Sequence, residues 1–221
     1  MVINEVYNFL VYIIRKERNG FLTIDDFNRD IDRAQLEVFE DYYEMYGQTQ
    51  KTHDAISNFK ATYTFTQTDT PLGVITFPDD YLHLRVVNTV TYDNTTETAS
   101  LNPLRIVADD ELTYALKSQI RPVSVTTPIG LEQANSIQLY PKVPQAGEML
   151  YFKRPIAPVY AYTLSGTGNR TVTYDAANSV QLQWLDVYIN KIVAKTLTYV
   201  GINLNEAQLV QFAEMKNKEA E

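Results

Sequence analysis

Apolar residues recur at helical spacing at both ends of the chain and at strand spacing only in its middle. A helix that is apolar along one face must bury that face against another layer of structure. The stretch Asn178 to Lys218 sets the problem: it reads as two helices around a bend at Gly201 and contains the single tryptophan, Trp184. Its natural partner is the other end of the chain.

That other end supplies two helices. Val6, Phe9, Leu10, Ile13 and Ile14 form one face of a helix over Ile3 to Arg18, with Arg15, Lys16 and Arg18 complementing its carboxyl end and Gly20 as its stop. A second helix starts at Thr23, a capping residue with Asp25 and Asp26 in the first turn. Its stripe is Phe27, Ile31, Ala34, Val38, Tyr42 and Met45, and Gly47 ends it. Glu37, Glu40, Asp41 and Glu44 read as a solvated outer face. Near the carboxyl end, Val180, Trp184, Val187, Tyr188 and Ile192 carry a third helix to Gly201. Asn203 and Glu206 open a fourth with Ala207, Leu209, Val210 and Phe212 on its face.

Between these ends the period shortens. Ala61 to Thr66 and Gly73 to Phe77 read as a hairpin, followed by a long strand from Tyr81 to Tyr92 and a short one near Glu97 to Leu101. Ala108 to Lys117 reads as a short helix capped by Asp109 or Asp110. Strands are then expected over Val123 to Thr126, Ser136 to Tyr140 and Glu148 to Lys153, bracketed by Pro122, Pro128, Pro141, Pro144 and Pro155. No helix long enough for repeated parallel crossovers separates them, so an antiparallel sheet is expected. Ala157 to Asn178, with SGTGNR at its centre, reads as an exposed hairpin or arm. The resulting expectation is an α+β fold, a helical bundle of residues 1–60 and 178–221 with an inserted antiparallel β lobe over 61–177, whose extended arm lies around 155–177.

Chemistry is scarce in the sequence. Among its 221 residues there is no cysteine, which removes disulfides, thiolate metal sites and cysteine nucleophiles. A formal charge of −8 opposes binding nucleic acid through the overall field. The apolar run Phe9 to Ile14 lacks a basic stretch ahead of it and falls far short of the ~20 residues of a membrane span. His53 and His83 have no second histidine at ligand spacing, and no G-x-S-x-G surrounds any serine. Gly166 and Gly168 lack the Lys-Ser/Thr and the strand-to-helix setting of a phosphate loop. No cofactor or metal is expected. Sixteen tyrosines are the unusual feature, a residue type that supplies contact area and a polar tip at protein interfaces.

The order of parts is itself informative. An acidic second helix TIDDFNRDIDRAQLEVFEDYYE, a β region introduced by FPDDYLHLRVV, and Trp184 ahead of IVAKTLTYVGINLNEAQLVQFAEMK together resemble the head-to-tail connector ring proteins of crAss-like and other short-tailed phages. Adaptors of the tail tubular protein A type are similar in placing terminal helices around a β insertion. The resemblance implies a non-catalytic virion protein of the neck or tail, assembled in the host cytoplasm without a membrane partner. Its copies would form a ring of roughly twelve between the portal protein and the next tail ring, lining a passage that DNA crosses without specific binding. Candidate ring contacts are then the first and fourth helices and the arm, through Phe9, Tyr12, Ile13, Tyr160, Tyr162, Tyr174, Leu209 and Phe212. A tail ring that anchors fibres, a cell-wall hydrolase with two acids across a cleft, and a soluble binding module are the competing readings.

Overall fold

The structure, a computed structural model, describes residues 2–18, 21–93, 98–166 and 171–201. The fold is α+β, and its contacts divide it into two compact units: the described residues of Met1–Asn58 with Pro155–Glu221, and Phe59–Arg154. The second boundary therefore falls at Pro155 rather than near residue 178, and the arm belongs with the helices.

In the first unit, α1 (Ile3–Arg18) and α2 (Ile24–Glu44) form where the periodicity places them. Thr23 caps α2 by accepting from the Asp26 amide at 3.0 Å while its hydroxyl donates to the Asp26 carboxylate at 2.6 Å. Phe27, Ile31, Ala34, Val38 and Tyr42 are buried along one face. Met45 lies past the last helical residue and is exposed. Gly47 adopts φ of +89°, the left-handed conformation expected after a helix end. The short α3 (Gln50–Ala55) follows.

The chain re-enters this unit at Pro155. Asn28 of α2 pins it by accepting from the Tyr160 amide at 2.8 Å and donating to the Tyr160 carbonyl at 3.3 Å. Gln35 donates to the Ile156 carbonyl at 3.0 Å. After the arm, Val180 pairs with Val159 as an antiparallel bridge, and Gln181 accepts from the Ile3 amide at 2.8 Å. The third helix, α5 (Asp186–Tyr199), consequently starts six residues later than its periodicity suggests, because Val180 is committed to extended pairing. Trp184 is buried ahead of α5, and Val187, expected on the apolar face, is 78% exposed. α5 packs along α2 and touches α1 through Tyr188, Ile189, Ile192, Val193 and Leu197. The fourth helix and Gly20 lie outside the described residues.

The second unit is built from two four-stranded sheets. One runs β1 (Lys60–Phe65), β8 (Ala146–Lys153), β3 (Tyr81–Asp93), β4 (Thr98–Pro103), antiparallel throughout. The other runs β2 (Val74–Thr76), β7 (Ser136–Tyr140), β6 (Ile129–Gln133), β5 (Arg105–Val107), and its β5–β6 pair is parallel. Phe65, Val87, Met149 and Tyr151 from the first sheet meet Ile75, Ile137 and Leu139 from the second in one apolar cluster. Gly147 lets β8 lie close to its neighbours: a Cβ there would sit 2.1 Å from the Asn88 carbonyl oxygen and 2.6 Å from the Phe65 ring.

Three expectations change here. The runs around Ala61 and Val74 do not pair with each other; each joins a different sheet, and the intervening loop crosses between them. Thr70 fixes that crossing, fully buried and bonded to the Gln145 backbone. Val123–Thr126 is a turn instead of a strand: Ser124 shares hydrogen bonds with Thr126 and Thr127, whose hydroxyl donates to the Pro122 carbonyl at 2.7 Å. Local hydroxyl bonding there competes successfully with β propensity. The short helix α4 spans only Leu112–Leu116, with Glu111 at its cap and no side-chain capping bond.

Candidate subunit interface

The arm is a two-stranded antiparallel sheet of β9 (Tyr162–Ser165) and β10 (Thr171–Tyr174), with Thr171 opposite Ser165 and Tyr174 opposite Tyr162. Its root is aromatic and well packed. Tyr160 is 5% exposed, with ring centroids 4.5 Å from Tyr7, 5.0 Å from Tyr174 and 6.2 Å from Phe27. Burial pushes the Tyr160 phenol up, with Tyr7 and Tyr174 adding to the effect. Gln181 donates to the Tyr174 hydroxyl at 3.2 Å, and Asp175 accepts from the Ala177 and Asn178 amides to close the base of the arm.

Beyond that root the arm is exposed on every side. Tyr162, Leu164 and Val172 are 38%, 48% and 52% exposed. Its described residues include no charged side chain, no proline and no bulge, the usual devices that keep an edge strand from pairing with another chain. Among the described residues no further strand pairs with either outer edge. A hairpin of this size has little stability of its own in water and gains it by packing or by added strands.

The other expected contact residues divide differently. Phe9 and Ile13 are buried in the core of their own unit, as is Tyr160, so these three present no surface to a neighbour. The helical period of α1 identifies an apolar face, and the chain itself covers it. Tyr12 is half-buried and accepts from Lys16 at 3.1 Å; among the described residues of the set, Tyr162 is the one that stands open. Leu209 and Phe212 lie outside the described residues.

A side-chain cluster that composition concealed lies between α2 and α5. Glu37 accepts from the Lys195 ammonium and from the Tyr199 hydroxyl. Asp41 pairs with Lys191 at 3.0 Å, and the Arg33 guanidinium lies 4.4 Å from the Tyr199 ring centre. Hydrogen bonding from Lys195, then from Tyr199, holds the Glu37 carboxyl below its ordinary range. Burial first, and then the bond to Glu37, push the Tyr199 phenol up to about 12. Glu37 and Asp41 thus clamp two helices; they are not simply a solvated face. The i, i+4 spacing of Lys191 and Lys195 against Glu37 and Asp41 carried that signal.

Among the described residues no group of His, Asp and Glu could hold a metal ion, and no helix is long and apolar enough to cross a membrane. His53 stacks on Tyr46 at 5.3 Å in the first unit, and His83 lies on β3 in the second. A cavity lined by Arg105, Ser118, Arg121 and Thr127 holds about 30 Å³, room for one water. A shallower depression of 340 Å³ beside the stacked Phe77 and Tyr81 is lined by one carboxylate, Asp79, and gathers no acid pair. No protein-family model matches the chain, and no characterised protein matches it in sequence.

Proposed function

We propose that the chain is a non-catalytic subunit of a head-to-tail connector or adaptor ring in a short-tailed phage, seated between the portal and the next tail component. The observation that carries this reading is the arm: a hairpin whose strands β9 and β10 carry no charged side chain and, among the described residues, pair with no further strand, in a chain of net charge −8. Strand edges of this kind are completed by another chain, and main-chain bonding along them requires no particular side chain from the partner. Copies of an acidic protein repel one another over most of their surface, so an arm with no carboxylate from Tyr162 to Tyr174 is a favourable place for them to meet. The aromatic root would fix the direction in which the arm points, and the order of helical and β segments read from the sequence resembles that of connector proteins.

The decisive measurement is the mass of the purified protein, alone and after mixing with the portal protein of the same phage. A closed ring on the portal is expected. A strict monomer that ignores the portal and the other neck proteins rules the proposal out, and peptidoglycan cleavage that disappears on replacing one acid pair would favour the hydrolase instead.

A further inference from the structure

The link between β5 and β6 carries charge of one sign at each end and apolar side chains between. Asp109, Asp110 and Glu111 lead into α4, and Lys117 and Arg121 follow it; all five are exposed. α4 buries none of its residues. Tyr114 is 80% exposed, Leu116 43% and Ile120 100%. The segment is held by its own backbone, with the Ala108 carbonyl accepting from the Glu111 and Leu112 amides at 3.1 Å each and Ser118 accepting from the Arg121 amide at 3.2 Å. A helix of five residues does not persist on propensity and normally depends on a buried face. Here that face is turned to water.

The chemistry narrows what would cover it. Three carboxylates at one end repel a phosphate backbone or an anionic membrane, and the Arg105 guanidinium lies 3.8 Å from Glu111. The adjoining cavity beside Arg121 admits one water, and the open hollow of about 340 Å³ beside Asp109 is lined by Ile106, Val107, Ala108, Leu131 and Glu132 and reaches none of Tyr114, Leu116 or Ile120, so neither would cover the apolar side chains with a small ligand. What remains is a protein surface that presents cations opposite Asp109 and Asp110 and carboxylates opposite Lys117 and Arg121. This segment is such a surface.

We propose that Asp109–Arg121 is a contact between copies of this chain, made head to tail. Lys117 and Arg121 of one copy meet Asp109 and Asp110 of the next, and Tyr114, Leu116 and Ile120 are buried between them. Two copies docked antiparallel would match both ends at once and stop there, whereas in a ring each end meets a different neighbour, the heterologous geometry. The proposal rests on the ring reading for that closure, while the charge pairing stands on the segment alone.

The test uses two variants of the full chain, K117E/R121E and D109K/D110K, with circular dichroism and a thermal melt to confirm that each folds. These side chains are exposed, so the melts should match the original. By sedimentation velocity over a concentration series at low salt, each variant alone should associate at least tenfold more weakly than the original, because like charges then face each other. An equimolar mixture of the two should recover association, since the ends become complementary again, and added salt should weaken the original protein's association. I120D should weaken it in every combination.

Variants that assemble like the original overturn this contact and leave the ring reading intact. Two defective variants whose mixture stays dissociated overturn the charge pairing. Recovery that stops at two copies overturns the head-to-tail arrangement in favour of a two-fold one. A duplex DNA retained by the original and released by K117E/R121E assigns the segment to nucleic acid. An original protein that is monomeric at every concentration overturns the contact, and if it is also indifferent to the portal, the ring reading falls with it.

Discussion

The Thr70 hydroxyl and the Gln145 backbone are bonded twice: the hydroxyl donates to the Gln145 carbonyl at 2.6 Å and accepts from the Gln145 amide at 3.0 Å. One side chain thereby satisfies both backbone polar groups of the residue ahead of β8, inside the unit, where Thr70 has no exposure. Thr70→Val keeps the shape and leaves two buried peptide groups without that bonding, so a loss of about 3 kcal/mol is expected. Thr70→Ser should retain most of the stability. Chemical denaturation of the three proteins checks the order.

Gly147 and Gly130 should respond differently to alanine. At Gly147 the new methyl meets backbone, the Asn88 carbonyl oxygen at 2.1 Å, which cannot step aside without opening the β3–β8 ladder. At Gly130 it meets side chains only: the Leu104 δ-methyl at 2.8 Å, which can rotate, and the Ile137 γ-methyl at 2.8 Å, which moves only with its branched Cβ. Gly147→Ala is expected to cost about 3 kcal/mol or more and Gly130→Ala about 1–2 kcal/mol, measured by urea unfolding. Equal costs would mean that β8 shifts as a unit.

The clamp between α2 and α5 predicts two pH limits. Glu37 has a lowered pKa, so its contribution is present above the unfolded value near 4.5 and is lost as pH falls through the native one. Tyr199 and Lys195 are raised, so theirs is present below the unfolded values of 10.0 and 10.5 and fades as pH rises through the native ones, about 12 for Tyr199. The Glu37 side chain is 41% exposed, and solvent screening keeps the effect at about 0.5–1 kcal/mol. Glu37→Gln should flatten both flanks of the stability profile and lower the Tyr199 titration seen by phenolate absorbance.

Asn28 imitates a neighbouring strand for Tyr160, accepting from its amide and donating to its carbonyl. Asn28→Leu should cost about 1–2 kcal/mol. It should also speed hydrogen exchange at the Tyr160 amide well ahead of the α2 amides. Uniform loss of protection across the unit would show that the pin is global and not local.

What was legible in the sequence was local. Thr23 with Asp26, and the stripe Phe27 to Tyr42, specify α2 through neighbours three and four residues away. The outline of the arm was likewise visible in its tyrosines and the turn at Ser165–Gly166. Partner choice was not. β1 and β2 have the composition of a hairpin, yet Phe65 and Ile75 approach the core from opposite sheets, a choice made by β7 and β8 some seventy residues on. The Ser124 turn shows local side-chain bonds overriding strand propensity in a short run.

The same limit governed the candidate contacts. Periodicity marks Phe9 and Ile13 as apolar-facing but does not say whether the cover is the chain itself or a second copy. The acidic-to-basic order of Asp109–Arg121 is in the sequence, whereas the exposure of Tyr114 and Ile120 became evident only in three dimensions.

The split composition of the first unit bears on how the protein is made. Phe59–Arg154 is continuous and has its whole core once residue 154 has been synthesised. α1 and α2 must wait about 45 residues longer, until α5, which ends at Tyr199, emerges to cover them. During translation the later-numbered unit can therefore reach its native state before the earlier-numbered one. At the rates at which ribosomes work, the apolar stripe of α2 stays uncovered for seconds, a window in which a chaperone would find it.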